Sequence, residues 1–170
     1  MKKLLTLLFL AACVILNAAP LFEDGKTSWK IYIPEKASPT ELYAAEELST
    51  YLRRISRCYF DIARGGAVPD SDAIVIGTPQ SMPAVKLHED QLGLGSGSEQ
   101  KLAVYTLGGN LYLAGREPRG ALYAVYTFLQ DTMGVRWFWP SSEANGEFMI
   151  YRRQFELPEL AVNRDPAIFY

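Results

Sequence analysis

Residues 38–56 read SPTELYAAEELSTYLRRIS and predict an amphipathic helix with a well-defined start. Ser38 is a residue type that caps helices, Pro39 suits the first turn, and Glu41 stands three positions after the cap, as in a capping box. The apolar positions that follow recur every three or four residues: Leu42, Ala45, Leu48, Leu52 and Ile55. We therefore expect one face of this helix to lie in a hydrophobic core.

Strands are predicted on both sides of this helix. Residues 29–33 precede it, residues 59–63 and 73–77 follow it, and all three runs are rich in β-branched or aromatic side chains. The run at 73–77 has no polar side chain. That pattern is typical of a buried central strand.

The second half of the chain begins with a predicted hairpin. Residues 102–107 and 111–115 are strand-like, and they flank Gly108-Gly109-Asn110, whose residues tolerate the positive φ angles of a tight turn. A second helix is predicted from Pro118 to Met133, and it is apolar on more than one side. Gly134 is its expected C-terminal cap.

Short strands are predicted at residues 135–139 and 148–151, and residues 78–100 are expected to form a long surface loop. The resulting order is β-α-β-β, a loop, then β-β-α-β, which predicts an α+β fold. We expect a two-layer sandwich in which a small, mostly antiparallel sheet carries the two main helices on one face.

The N-terminus has the layout of a secretory signal peptide. A basic pair precedes an uncharged apolar run from Leu4 to Leu16, and small residues follow up to Ala19. We therefore predict a signal peptide at residues 1–19 and export to the periplasm or the extracellular space. Leu10-Ala11-Ala12-Cys13 also resembles a bacterial lipobox, so the alternative is a lipoprotein anchored through a lipidated Cys13.

The composition limits the classes of partner. Without residues 1–19, which contain two of the lysines, acidic side chains outnumber basic ones by four. Such a charge does not attract phosphates, so we expect no nucleic acid partner. Cys58 is the only cysteine outside the predicted signal peptide, and we expect it to be structural. Nearly half of the residues (49%) are hydrophobic, which is sufficient for a packed core.

No sequence pattern predicts a catalytic, metal or cofactor site. Glu46 and Glu47 are neighbours on a helix and do not face each other, so they do not form the carboxylate pair of a glycosidase. Asp70-Ser71-Asp72 is not followed by a calcium-binding loop, and His88 is the only histidine. Residues 115–120 suggest a phosphate cradle but lack the Walker spacing.

The aromatic run Trp137-Phe138-Trp139 is a candidate contact surface. Successive side chains of a strand lie on opposite faces, so one face can enter the core while the other contacts a partner. The flat apolar faces of aromatic rings suit sugar rings. The predicted contact site, for a sugar or a neighbouring domain, consists of Tyr123, Tyr126, Arg136, Trp137 and Trp139. Packing in the core and at a domain interface is the competing interpretation of the aromatic run.

Several blocks of this sequence resemble one known domain type. Residues 44–56, AAEELSTYLRRIS, are similar to its AAEEL-x-x-YL-x-x-IS helix, and residues 74–77 are similar to the strand after that helix. The later blocks are residues 111–115, 118–129 and 134–140. Over residues 28–170 the chain thus resembles the N-terminal domain of bacterial α-glucuronidases, β-hexosaminidases and related glycosidase-like proteins. Arg57 departs from the pattern, because relatives usually have glycine at this helix end.

The resemblance implies an α+β sandwich packed against a TIM barrel that carries the catalytic carboxylates. The expected organisation is a signal peptide at 1–19, the accessory domain at 20–162 and, at 163–170, the start of a barrel that is missing from this chain. The chain alone is then expected to be non-catalytic and to need no cofactor. Its expected partners are the barrel domain of an exported polysaccharide-degrading glycosidase and a polysaccharide. The alternative is a free-standing carbohydrate- or protein-binding module.

Overall fold

The computed structural model describes residues 19–139 and 146–165. The predicted signal peptide up to residue 18, the predicted lipidation at Cys13 and the last five residues of the predicted barrel start therefore lie outside the described residues. The strands are β1 (Phe22–Glu23), β2 (Lys30–Ile33), β3 (Ile62–Arg64), β4 (Ala73–Gly77), β5 (Leu102–Leu107), β6 (Asn110–Gly115), β7 (Arg136–Trp137), β8 (Glu147–Phe148), β9 (Gln154–Phe155) and β10 (Ala161–Arg164). The helices are α1 (Pro39–Ser56), α2 (Pro83–Leu87) and α3 (Pro118–Thr127), and a π-helical turn (Phe128–Thr132) continues α3.

Six strands form one sheet in the order β10-β5-β6-β4-β2-β3, and helices pack against it, so the predicted α+β sandwich is confirmed. The strand directions differ from the expected mostly antiparallel sheet. β2 is parallel to β3 and to β4, and β4 is parallel to β6, whereas β5 is antiparallel to β6 and to β10. Since α1 lies between β2 and β3, it returns the chain to the end at which β2 began, so β3 runs in the same direction.

The two main helices, α1 and α3, cover one face of this sheet, as predicted. Their buried side chains pack on alternate strand residues of β2, β4, β5 and β6. This core contains Ile31, Ile33, Leu48, Leu52, Ile55, Ile74, Ile76, Leu102, Val104, Leu111, Leu113, Val125 and Phe128. The alternation of the strand residues explains why β4 is buried throughout, because its remaining side chains enter a second core on the opposite face.

The second face of the sheet is covered by the segment that the sequence predicted as a surface loop. Residues 78–100 contain α2 and bury four apolar side chains against Val75 and Tyr112 of the sheet. These side chains are Met82, Val85, Leu92 and Leu94. The segment is therefore a partial third layer, anchored by these side chains, although most of its backbone is irregular.

The helix ends contain the capping residues that the sequence predicted. The capping box of α1 is formed, since the Ser38 hydroxyl accepts from the backbone N–H of Glu41 and the Glu41 carboxylate accepts from the backbone N–H of Ser38. Arg57 ends α1 in the left-handed conformation, with φ 62° and ψ 14°. Gly134 has a φ of 81° after the π-helical turn, which is the conformation expected of a C-terminal glycine.

The last described residues belong to the sheet. β10 pairs antiparallel with β5, so this strand crosses the expected domain boundary between residues 162 and 163. The described residues also contain two smaller pairings, β1 with β9 and β7 with β8. Within residues 19–139 and 146–165, no helix combines the length and apolar character needed to cross a membrane.

Candidate functional site

Trp137, one of the predicted contact residues, is half-buried at the centre of an aromatic cluster. Its ring meets the rings of Tyr51 and Tyr126 edge to face, with centroid distances of 5.5 Å and 5.4 Å. Its indole N–H also donates to the Tyr51 hydroxyl at 2.7 Å. Both the ring and the polar atom of Trp137 are therefore engaged inside the domain, where they join α1, α3 and β7.

Carboxylates of α1 and β8 complete this aromatic cluster. The Tyr51 hydroxyl donates to Glu147 Oε1 at 2.8 Å, and Arg54 donates to Glu147 Oε2 at 2.6 Å. These two hydrogen bonds lower the pKa of Glu147. Tyr126 donates to Glu47 Oε2 at 2.9 Å.

Burial, rather than any charged neighbour, is the main reason that the pKa values of Tyr51 and Tyr126 are raised. Both phenols therefore remain protonated at neutral pH and act as hydrogen-bond donors. The cluster is suited to holding the β7–β8 hairpin in place.

The structure separates the five predicted contact residues into different environments. Trp137 and Tyr126 belong to the interior cluster, whereas Trp139 is exposed. Tyr123 and Tyr126 line a groove of about 380 Å³ between α3 and β10. Arg136 is exposed, and its guanidinium donates to the carbonyl of Val135 at 2.8 Å. The structure thus does not bring the five into one site.

The exposed aromatic residues Phe138, Trp139 and Phe148 form what we call the aromatic hairpin surface. All three lie on or next to the β7–β8 hairpin, and each is at least half exposed: 63% for Phe138, 58% for Trp139 and 50% for Phe148. The rings of Phe138 and Trp139 are neighbours, with centroids 6.0 Å apart. Phe138 and Phe148 were not among the predicted contact residues, although side-chain alternation along the strand predicted at 135–139 places Phe138 on the face opposite to Trp137.

A second candidate site lies where parallel strands end. The loop after β2 leads to α1 on one face of the sheet, and the loop after the adjacent β4 leads to α2 on the other face. Between these loops is a cavity of about 600 Å³, which we call the strand-end crevice. Its lining residues are Pro34, Glu35, Lys36, Ser38, Glu41, Gly65, Gly66, Thr78, Gln80, Ser81, Met82, Pro83, Glu117 and Pro118.

Glu41 is the most deeply buried charged residue that lines the strand-end crevice, with only 1% of its surface exposed. Its Oε2 accepts from the backbone N–H and the hydroxyl of Ser38, at 2.7 Å and 2.8 Å, and its Oε1 accepts from the Ser81 hydroxyl at 2.5 Å. The buried carboxylate is thereby satisfied, and it lies at the positive end of the α1 dipole. These bonds connect the loop after β2 to the loop after β4.

The sequence did not predict the strand-end crevice, because a crevice of this kind depends on neighbouring parallel strands. The available signal was the apolar run at 73–77, since strands buried on both faces are typical of parallel sheets. Glu41 itself was identified, but only as part of a helix cap.

The cysteine, the histidine and the glycine-containing segment at 115–120 that the sequence analysis considered all have roles in packing or local hydrogen bonding. Cys58 is 1% exposed, and His88 pairs with Gln91 through Nδ1 at 2.7 Å. A Cβ atom on Gly115 would lie 2.1 Å from the backbone nitrogen of Ala121, and one on Gly120 would lie 2.3 Å from the Lys101 carbonyl oxygen. Close backbone packing therefore accounts for the two glycines. In the described part of the chain, no three His, Cys, Asp or Glu residues are arranged to hold a metal ion.

No protein-family model matches this chain, and no curated protein matches its sequence.

Proposed function

We propose that this chain is a non-catalytic accessory domain of an exported, polysaccharide-degrading glycosidase, and that it docks onto the catalytic TIM barrel through the aromatic hairpin surface. The sequence blocks that resemble the N-terminal domains of α-glucuronidases and β-hexosaminidases suggest the class of partner. The exposure of Phe138, Trp139 and Phe148 is the structural observation that carries the proposal.

Three large apolar side chains on one short hairpin form an unusual surface for a protein in water. Neighbouring exposed apolar side chains commonly mark a partner surface, whereas single ones do not. The base of the hairpin is fixed by Trp137, whose contacts to Tyr51 and Tyr126 lie inside the domain. A rigid base holds the exposed rings in one position, which reduces the entropy lost when they dock.

A free-standing binding module is the second candidate function. The exposed Trp139 ring favours it, since a tryptophan beside Phe138 could serve as a platform for a sugar ring. The two functions differ in what covers the aromatic hairpin surface. In the accessory domain a protein domain covers it permanently, whereas in the binding module it stays open to solvent until a ligand arrives.

Sedimentation analysis over a concentration series tests the docking. The processed chain should self-associate and bind a hydrophobic dye when purified without a barrel domain, and it should do neither when the barrel encoded downstream is joined to it. The double variant Phe138→Ser, Trp139→Ser should remove self-association. Leu87→Ser is the matched control, because Leu87 is 79% exposed on α2 and is not part of the aromatic hairpin surface.

Two outcomes would contradict the accessory function. One is a processed chain that stays monomeric at all concentrations and binds no hydrophobic dye, which would favour the binding module. The other is a coding sequence without an in-frame catalytic domain after Tyr170. Hydrolysis of an aryl glycoside by the purified chain, abolished by replacing one of its own acidic residues, would contradict the non-catalytic assignment.

A further inference from the structure

The strand-end crevice lies at a place where parallel sheets bind ligands. In open sheets, ligands occupy the gap between two adjacent parallel strands whose outgoing connections lead to opposite faces. β2 and β4 are such a pair, since one leads to α1 and the other to α2. The cavity there, about 600 Å³, falls within the usual range for small-molecule sites, which is about 300–1,000 Å³.

The lining of the strand-end crevice combines apolar and planar polar groups. Pro34, Pro83 and Pro118 contribute ring carbons, while Gln80 and Glu117 contribute an exposed amide and an exposed carboxylate. An apolar ring face edged with hydroxyl groups, as in a pyranose, matches such a mixture. Amide and carboxylate groups suit neighbouring hydroxyls, because each can bond two of them at once.

The charge of the lining selects among sugars. Glu35, Glu41 and Glu117 contribute three carboxylates to the crevice, and Lys36 contributes its one ammonium. A ligand with its own carboxylate or phosphate would be repelled by this excess of negative charge. A neutral sugar is not repelled by these carboxylates, and its hydroxyl groups can donate hydrogen bonds to them.

We propose that the strand-end crevice is a binding site for a neutral pyranoside of about monosaccharide size. Gln80, in the loop after β4, and Glu117, at the start of α3, hold the hydroxyl groups of the ligand. Glu41 is a positioning residue, because its bonds to Ser38 and Ser81 set the distance between the two loops. This site is separate from the aromatic hairpin surface and does not depend on docking to a barrel.

The test is a titration of the isotope-labelled processed chain, followed by amide NMR shifts. Methyl β-D-glucopyranoside should cause saturable shifts at Gly65, Gly66 and Ser81, whereas methyl β-D-glucuronopyranoside, which differs by its carboxylate, should not. Gln80→Ala and Glu117→Ala should each weaken binding about tenfold, since each removes hydrogen bonds to the ligand. Both residues are exposed, so the variants should fold.

Matched controls use the same residue types at exposed positions outside the crevice. Gln130→Ala and Glu46→Ala should leave the affinity for the glucoside unchanged. No saturable shift with the glucoside, or shifts confined to residues outside the crevice, would overturn the proposal. Tighter binding of the glucuronoside than of the glucoside would also overturn it, because the crevice would then select an anionic ligand. Binding of ethanolamine without binding of the glucoside would overturn it too, because the crevice would then select a cation. None of these outcomes bears on sedimentation with the barrel, so this site and the docking surface can fail independently.

Discussion

Trp137 donates its indole N–H to the hydroxyl oxygen of Tyr51 at 2.7 Å, while the two rings meet edge to face at an angle of 86°. Tyr51 lies in α1 and Trp137 in β7, so this pair connects the first helix to the hairpin that carries the exposed aromatic residues. The same hydroxyl donates to Glu147 on the partner strand of that hairpin. The Tyr51 hydroxyl therefore contacts both strands of the hairpin that carries the aromatic hairpin surface.

Replacing Trp137 with phenylalanine should lower the free energy of unfolding by about 1–2 kcal/mol. The change removes a hydrogen bond worth about 1 kcal/mol and leaves a smaller ring in contact with Tyr51 and Tyr126. Urea denaturation of the purified chain measures the change. The matched control is Trp139→Phe, whose side chain is 58% exposed and should change stability little. Equal effects of the two variants would contradict the interior role of Trp137.

The salt bridge of Glu147 predicts a stability that depends on pH. The hydrogen bond from Tyr51, and then that from Arg54, lowers the pKa of Glu147 in the folded chain below its ordinary value of 4.5. A carboxyl group with a lowered folded pKa stabilises the fold above its unfolded pKa, and this contribution disappears as the pH falls through the folded pKa.

Glu147→Gln should therefore destabilise the chain at about pH 7, and the difference from wild type should shrink at about pH 3. Urea unfolding at the two pH values measures both differences. Glu46→Gln, on the exposed face of α1, is the matched control and should have a small effect at both. A Glu147→Gln effect that is constant with pH would show that shape, and not the carboxylate charge, matters at this position.

Processing of the N-terminus is predicted to leave Ala19 or Pro20 as the first residue. The structure favours Ala19, because its carbonyl oxygen accepts a hydrogen bond from the indole N–H of Trp29 at 3.3 Å. Trp29 is only 2% exposed, so losing that acceptor would cost stability. Mass spectrometry of the exported protein identifies the first residue. A diacylglyceryl mass on Cys13 would contradict this processing and establish the lipoprotein alternative.

The local elements were predictable because their signals lie within a few neighbouring residues. The capping box of Ser38 and Glu41 and the glycine turn at 108–109 each predicted an element that the structure contains. The direction of β3 and β4 was not predictable in this way. Strand direction depends on which strands become neighbours, and pairs such as Ile31 with Ile62 are far apart in the sequence.

The same limit applies to the candidate sites. The composition of residues 137–139 indicated an aromatic surface, yet it could not show that the Trp137 ring turns inward to Tyr51 while Trp139 stays exposed. The strand-end crevice needs four loops from distant parts of the chain, so no local pattern describes it. The segment at 78–100 was predicted to be an irregular surface loop. Most of its backbone is irregular, but its apolar side chains are buried against one face of the sheet.

Arg57 ends α1 at a position where the backbone conformation favours glycine. Its φ of 62° is in the left-handed region, where a side chain is strained by about 1–2 kcal/mol and glycine is not. The arginine side chain also makes a cation–π contact, since its guanidinium lies 4.7 Å from the centre of the Tyr151 ring. Such a contact contributes about 0.5–1 kcal/mol at exposed sites.

Comparing Arg57→Gly with Arg57→Ala separates the two effects, because both variants lose the ring contact and only glycine relieves the backbone. We expect the glycine variant to be about 1 kcal/mol more stable than the alanine variant, and at least as stable as the wild type. Tyr151→Ala should reproduce the loss of the ring contact alone. Urea denaturation of the four proteins gives the comparison. An alanine variant as stable as the glycine variant would show that the end of α1 is not strained. The arginine would then be tolerated without help from Tyr151.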